Sequence, residues 1–271
     1  MKKLMLVLAL CLTAMLAFAG CGADKAATPA DGKATIKVGA TPVPHAEILN
    51  IVKPMLEKEG VVVEIVEMTD YVIPNTAVAD KQLDANFFQH KPYLDKFCSE
   101  RNLKLTSVAP IHIEPMGVYS KKVKSLSELA EGAEVAIPND PTNGGRALLL
   151  LAKQGIITLK EGITITASVA DITSNPKKLR ITELEAPQLP RVLDDVAIAV
   201  INTNFAMEAD LVPMRDAIAM EDKDSPYANI LVVRTGDETR PEIQKLVKAL
   251  TSPEVKKFIE EKYKGSIAAT F

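Results

Sequence analysis

From Ala34 to the end of the chain, short runs rich in β-branched residues alternate with amphipathic stretches, and no other feature restricts the fold as strongly. A strand followed by a helical crossover returns to a parallel neighbour, so repeated units of this kind build α/β layers around a largely parallel sheet. The pattern predicts strands over 35–38, 61–66, 105–109, 134–137, 163–167, 181–185, 197–201 and 230–233. It predicts helices over 46–59, 91–101, 144–154, 187–194, 240–250 and 253–263, with Pro54 expected to kink or split the first of them. At 271 residues the chain has reached the size, roughly 250 to 300 residues, at which one core gives way to two. Two extended stretches, 111–120 and 217–229, carry proline, glycine or charge in place of periodicity and read as crossings between lobes. The implied plan is a first lobe from 34–116 and 226–271 and a second from 117–225, with a cleft for a small ligand between them.

The amino terminus reads as an address. Lys2 and Lys3 precede an uncharged, mostly apolar run over 4–20, the order of a secretory signal. Such a run approaches the length of a membrane-spanning helix, but Ala19-Gly20-Cys21 places a thiol directly after two small residues, as in the lipobox at which bacterial signal peptides are cut and the new terminal cysteine is acylated. Residues 1–20 are therefore expected to be removed, and acylated Cys21 to hold the protein to a membrane. Residues 21–33, small, polar and interrupted by Pro29 and Gly32, read as a flexible tether. Cys98, in a helical pattern, reads as a small buried hydrophobe.

Charge and motif narrow the function. With 32 basic against 35 acidic residues, and no basic block longer than a pair, the chain offers no footprint for nucleic acid. GxxxxGK[ST], HExxH and GxSxG are all missing, which argues against nucleotide hydrolysis, zinc proteolysis and a serine hydrolase; no cofactor is expected.

Two clusters carry chemistry. In DANFFQHKPY (84–93), Phe87, Phe88, Tyr93 and nearby Phe97 draw together the aromatics of a chain that has 7 Phe, 5 Tyr and no Trp. Set beside Gln89 and His90 where a strand gives way to a helix, they would form a wall with apolar faces and polar edges. Phe87 points opposite to Phe88 on a pleated strand and reads equally well as core. Tyr71 follows another strand and can face the same gap. In IPNDPTNGGR (137–146), a strand ends, proline and glycine shape a turn, and a helix begins, so free N–H groups and the positive end of the dipole favour an anion. Arg146, read as first-turn, is suited to clamp a carboxylate by two parallel hydrogen bonds, with a surface ion pair as the plainer alternative. Asn202 and Asn229 end apolar stretches and offer both donor and acceptor; Asn204 reads as a helix cap. His45, His90, His112 and Glu114 form an alternative transition-metal set.

The segments DANFFQHKPYLD, PNDPTNGGRALLLL, ELEAPQLPRVLDD, AVIN and EDKDSPYAN, in this order, resemble the NlpA family of lipoproteins. The resemblance implies a type II periplasmic-binding-protein fold, two α/β lobes closing over an amino acid, in a monomer that passes methionine to an ABC permease with a cytoplasmic ATPase. It implies Tyr71, Phe88, His90 and Tyr93 around the thioether, Arg146 on the α-carboxylate, and Asn202 and Asn229 on carboxylate or amine. The stereoisomer, another small amino acid or a methionine-containing dipeptide stay open. The chain departs from the family pattern at Phe87, where a small residue is usual, and at His112 and Glu114, where some relatives carry aromatic residues.

Overall fold

The computed structural model describes residues 33–222 and 225–271. The expected signal, Cys21 and the tether through residue 32 lie outside the described residues. Among those described, no helix is long and apolar enough to cross a membrane.

Thirteen strands and eight α-helices follow one another among the described residues: β1 (Ala34–Ala40), α1 (Glu47–Lys58), β2 (Val61–Glu67), α2 (Ile73–Ala79), β3 (Ala85–His90), α3 (Lys91–Arg101), β4 (Leu105–Ile113), β5 (Gly117–Tyr119), β6 (Glu134–Pro138), α4 (Pro141–Lys153), β7 (Thr158–Leu159), β8 (Ile172–Ser174), β9 (Arg180–Leu184), β10 (Ile198–Ile201), α5 (Thr203–Glu208), α6 (Pro213–Asp216), β11 (Ala217–Met220), β12 (Ala228–Arg234), α7 (Pro241–Leu250), α8 (Pro253–Tyr263) and β13 (Ala268–Ala269). They make two main sheets, ordered β13-β4-β12-β3-β1-β2 and β11-β5-β10-β6-β9, and a small β7-β8 ribbon. β1 runs parallel to β3, and β6 runs parallel to both β9 and β10. The strand laid down directly after each crossing runs antiparallel to its neighbours, and in the six-stranded sheet β13 is antiparallel to β4 as well. β5, which follows β4, is antiparallel to β10 and β11; β12, which follows β11, is antiparallel to β3 and β4. Two α/β sheets thus exchange the chain twice, the two-lobe architecture expected from the sequence.

Each sheet buries its own core. In the first, Ile36 and Val38 of β1 pack with Ile48, Leu49, Val52 and Leu56 of α1, whose spacing puts one apolar stripe on the sheet. In the second, Val135 and Ile137 of β6 and Ile198 and Val200 of β10 meet Leu148 and Leu151 of α4. Full burial of each such side chain contributes roughly 1.5 to 3 kcal/mol.

Several expectations need correction. Pro54 does not divide the first helix: α1 runs unbroken through it, because the carbonyl that loses its partner belongs to exposed Asn50 and is left to water. Residues 163–167 alternate as a strand would, and Ala167 is buried, yet no strand pairs with them among the described residues. Alternation there records packing against the second core without a ladder. The helix expected at 187–194 is a 3-10 stretch, Ala186–Val192, in which Pro187 and Pro190 withhold N–H donors. The helix expected from 144 begins at Pro141. The crossings are shorter than the extended stretches suggested, since β4 and β5 leave only 114–116 between them and β11 takes up 217–220.

Candidate functional site

The site grows from strand ends. β1, β3, β6 and β10 each deliver the chain at their carboxyl ends into a turn or helix start, the location at which open α/β sheets gather ligands. After β1, the turn from Thr41 to Ala46 holds His45 with its Nδ1 2.6 Å from the Thr41 hydroxyl. At the end of β3, His90 caps α3, its Nδ1 accepting from the Tyr93 amide at 3.2 Å. After β6, Asp140 caps α4, and after β10, Asn202 occupies the cap position of α5.

Register supplies the rest. Asn229 of β12 lies opposite His90 on one side and His112 on the other, so three polar side chains cross the first sheet in a row. The ladder irregularities beside Asn229 and Ile230 fall at this row, where a bulge re-aims side chains.

All seven residues expected from the sequence, Tyr71, Phe88, His90, Tyr93, Arg146, Asn202 and Asn229, line one cavity. Gln89, Glu114, Asn143, Thr203 and Asn204 complete it. These residues surround about 330 Å³ of space that is continuous with open solvent. Tyr71, Phe88 and Tyr93 form a wall with ring centres 5.8 to 6.0 Å apart, braced by a 2.7 Å bond from the Tyr93 hydroxyl to the Tyr71 carbonyl. Phe87 takes the plainer of its two readings: it is core, edge-on to His45 and His112.

Asn143 organises the polar side. Its Nδ2 donates to both Asp140 carboxylate oxygens, at 3.1 and 2.9 Å, which turns Oδ1 outward. That oxygen receives Asn202 Nδ2 at 2.9 Å and pairs with His90 Nε2 at 3.2 Å. The Asp140 carboxylate also accepts the Asn143 amide, so the N–H groups expected to attract a foreign anion are partly met by the helix's own cap. Asn204 is not a cap: it sits one residue inside α5, and its Oδ1 accepts the Tyr71 hydroxyl at 2.5 Å.

Arg146 differs from expectation in two respects. It stands in the second turn of α4, buried, and its fork is already committed: Nε and Nη2 meet Glu221 Oε1 and Oε2 at 2.7 and 2.5 Å. Nη2 also donates to the Glu114 carbonyl at 2.7 Å, and the guanidinium lies 4.3 Å over the Tyr227 ring. Both parallel bonds of the fork go to Glu221, and among the described residues Nη1 makes no hydrogen bond.

The metal set is not assembled as expected. His45, His112 and Glu114 bring their donor atoms within 4.8 Å of one another, whereas His90 stays outside, held on Asn143. Glu114 Oε1 lies 2.7 Å from His112 Nε2 and 3.3 Å from His45 Nε2. His112 Nε2 is thus hydrogen-bonded to Glu114 Oε1, whereas His45 Nε2 lies between that oxygen and Asn229 Oδ1, 3.1 Å away. His112 Nδ1 has no partner, although a metal-ligating histidine normally donates through its second nitrogen. Burial, above all, lowers the pKa of His45 to about 4 and of His90 and His112 to about 3, leaving all three neutral at pH 7. Burial raises the Glu114 pKa, opposed by His45, Arg146 and the Asn204 amide.

Sequence reasoning missed Asn143 and Glu221 and placed Glu114 only among metal ligands. Asn143 had a signal, three residues beyond the capping Asp140; Glu221 had none, being 75 residues from Arg146.

Known proteins resemble this arrangement throughout. The profile of the NlpA lipoprotein family matches residues 36–271. The D-methionine-binding lipoprotein MetQ of Salmonella typhi is 47% identical over 253 residues, 92% of either chain. A nutrient-binding protein from Burkholderia cenocepacia, solved bound to methionine, superposes with a TM-score of 0.85 at 53% identity, over 87% of this chain and 100% of that one. A putative methionine-binding lipoprotein from Bacillus subtilis gives a TM-score of 0.84 at 38% identity, over 87% and 97% of the two chains. On a profile that spans nearly the whole described chain, and relatives that cover it at nearly one residue in two, this chain belongs to the NlpA lipoprotein family.

Proposed function

We propose that this chain is the substrate-binding lipoprotein of an ABC importer and that it captures free methionine between its lobes. The observation that carries the reading is the two-ended cavity: Tyr71, Phe88 and Tyr93 form an apolar wall, while Arg146, Asn202 and Asn229 gather polar groups on the same space. The Salmonella and Burkholderia relatives, named or titled for methionine, support the choice of side chain. In this reading the first lobe comprises 34–116 and 226–271 and the second 117–225. Ligand contacts from both bias the pair toward closure only through their higher affinity in the closed state. The protein works without catalysis, held by acylated Cys21 on the outer side of the cell membrane, and hands methionine to a permease powered by a cytoplasmic ATPase.

Calorimetry with L- and D-methionine tests this directly. Dissociation constants of about micromolar or below, near −8 kcal/mol, are expected for at least one isomer, with Arg146→Ala weakening binding by more than about 100-fold. Absence of binding by both isomers overturns the reading. Cys21→Ser is expected to leave the protein in the soluble fraction; retention on membranes would show an uncleaved anchor instead.

A further inference from the structure

A second space opens on the surface beside the cavity. Leu149, Leu150 and Lys153 of α4, with Glu221, Asp222 and Tyr227 of the return crossing, border about 560 Å³ that is continuous with open solvent. Arg146, Leu149, Leu150 and Lys153 recur at the i, i+3, i+4, i+7 spacing of one helix face, so a single stripe of α4 runs from the cavity into this outer groove.

One side chain separates the two spaces. Tyr227 borders the outer groove, and its half-buried ring also meets two residues of the cavity. The Arg146 guanidinium lies 4.3 Å from the ring centre, and the His90 ring centre lies 5.3 Å away, tilted by 50°. Arg146 belongs to the helix packed on the second sheet and His90 to the end of β3 in the first, so the ring fills the gap where the two lobes meet behind these side chains. Its place in the chain sets it there: β12 begins at the next residue, with Asn229 paired opposite His90. Arg146 is itself fixed by Glu221, so ring and guanidinium together make a rigid boundary.

We infer that Tyr227 sets the permitted length of the ligand: it is a specificity-determining residue that confines the cavity to free amino acids and bars molecules extended beyond the carboxyl group, such as peptides that begin with methionine. The inference rests on the proposed function, in which the ligand carboxylate meets Arg146. Any residue bonded to that carboxyl carbon must pass the gap that the ring fills, and it needs about 3.5 Å of chain to do so. Past the ring, by contrast, the stripe suits such an extension. Leu149 and Leu150 offer apolar contact, and exposed Lys153, paired at the surface with Asp222, offers a cation to a carboxylate moved one residue outward. Exclusion thus depends on Tyr227 and not on the chemistry of the space behind it.

Calorimetry with methionine, in whichever isomer binds, and with methionylglycine of the same configuration tests this, weak binding being read by displacement of methionine. Wild-type protein is expected to prefer methionine by about 1,000-fold or more. Tyr227→Phe keeps the ring and is expected to keep that preference within about threefold. Tyr227→Ala opens the gap: methionylglycine is expected to bind at least about 10-fold more tightly than to wild type. Methionine itself should weaken about 2- to 30-fold through loss of the ring over Arg146. Weakened methionine with no gain for the peptide would show that the ring merely steadies Arg146. A preference lost in Tyr227→Phe would assign selection to the hydroxyl, and wild-type protein that takes both ligands within about threefold has no such wall; each of these results overturns the inference. Unliganded melting reports folding, and should Tyr227→Ala not fold, Tyr227→Leu, which also removes the ring, is judged by the same outcomes. Wild-type protein that binds no methionine overturns the proposed function itself, a result distinct from loss of the Tyr227 assignment.

Discussion

Arg146 and Glu221 face each other edge to edge, Nε to Oε1 at 2.7 Å and Nη2 to Oε2 at 2.5 Å, joining α4 to the segment by which the chain leaves the second sheet. The pair holds the guanidinium in place before any ligand arrives. It also fixes the orientation of the guanidinium, whose Nη1 takes no part in the pair.

Loss of Glu221 is therefore a stability mutation first. Glu221→Ala leaves a buried guanidinium without its carboxylate, and removal of one partner from such a pair costs about 3 to 5 kcal/mol. Urea unfolding of the unliganded protein measures it. A loss below about 1 kcal/mol would show that water replaces the partner and that the pair is effectively exposed.

Gly145 makes a sharper demand. A Cβ built there would run into the carbonyl oxygen of Ile165, and at neighbouring Gly144 it would come within 2.8 Å of the Pro138 carbonyl. Both obstacles are backbone, which cannot swing aside as a side chain can. Gly145→Ala is expected to destabilise by about 3 kcal/mol, at the upper end of overpacking costs, despite the better helix propensity of alanine. Unchanged thermal melting would show that the segment at 163–167 moves freely.

The Tyr71 hydroxyl bond to Asn204 links the loop after β2 to α5, elements that belong to different sheets. Tyr71→Phe retains the ring in the wall and deletes only this link. Methionine affinity is expected to fall about 2- to 12-fold, the worth of one net hydrogen bond, as read by calorimetry. A loss beyond 100-fold would place the hydroxyl on the ligand.

Acid should act through the buried imidazoles. An unfolded histidine binds its proton near pH 6.5, whereas the folded protein holds His45 to about 4 and His90 and His112 to about 3. A lowered folded-state pKa gives a stabilising contribution that is complete above pH 6.5 and lost as the pH falls toward 4 and 3, at about 1.4 kcal/mol per pH unit for each group. Glu114, raised by burial, and Glu208, raised to about 7, contribute with the opposite sign and moderate the slope. Imidazole NMR of the folded protein at pH 5 should find all three rings neutral; a ring titrating near 6.5 would contradict its burial.

What the sequence made legible was local. A strand that ends in Asn-Asp-Pro or His-Lys-Pro announces a helix, because Pro fits a first turn that needs no donor there, and both junctions bring side chains to the cavity. Gly144 and Gly145 were visible but misread as turn residues, since the backbone they must clear belongs to a segment twenty residues on that makes no regular structure. Residues 163–167 alternate as if in a sheet because period two follows from having one buried face, whether or not a neighbouring strand supplies hydrogen bonds. Glu221 lies in a charge run that looks solvated, and only the return crossing carries it to Arg146. Glu114 was recognised as chemistry-bearing, but its partners come from three other segments, which no spacing along the chain reveals.

The topology also dictates an order of completion. Every strand of the five-stranded sheet has been synthesised by Met220, while the six-stranded sheet still lacks β12, which must enter between β3 and β4. Until it does, β4 has neither of its partners, because β13 comes later still. A chain emerging from its amino terminus can thus finish its five-stranded sheet first and must keep β4 waiting, an exposed edge open to wrong pairings, until the last sixth of the polypeptide arrives to close it.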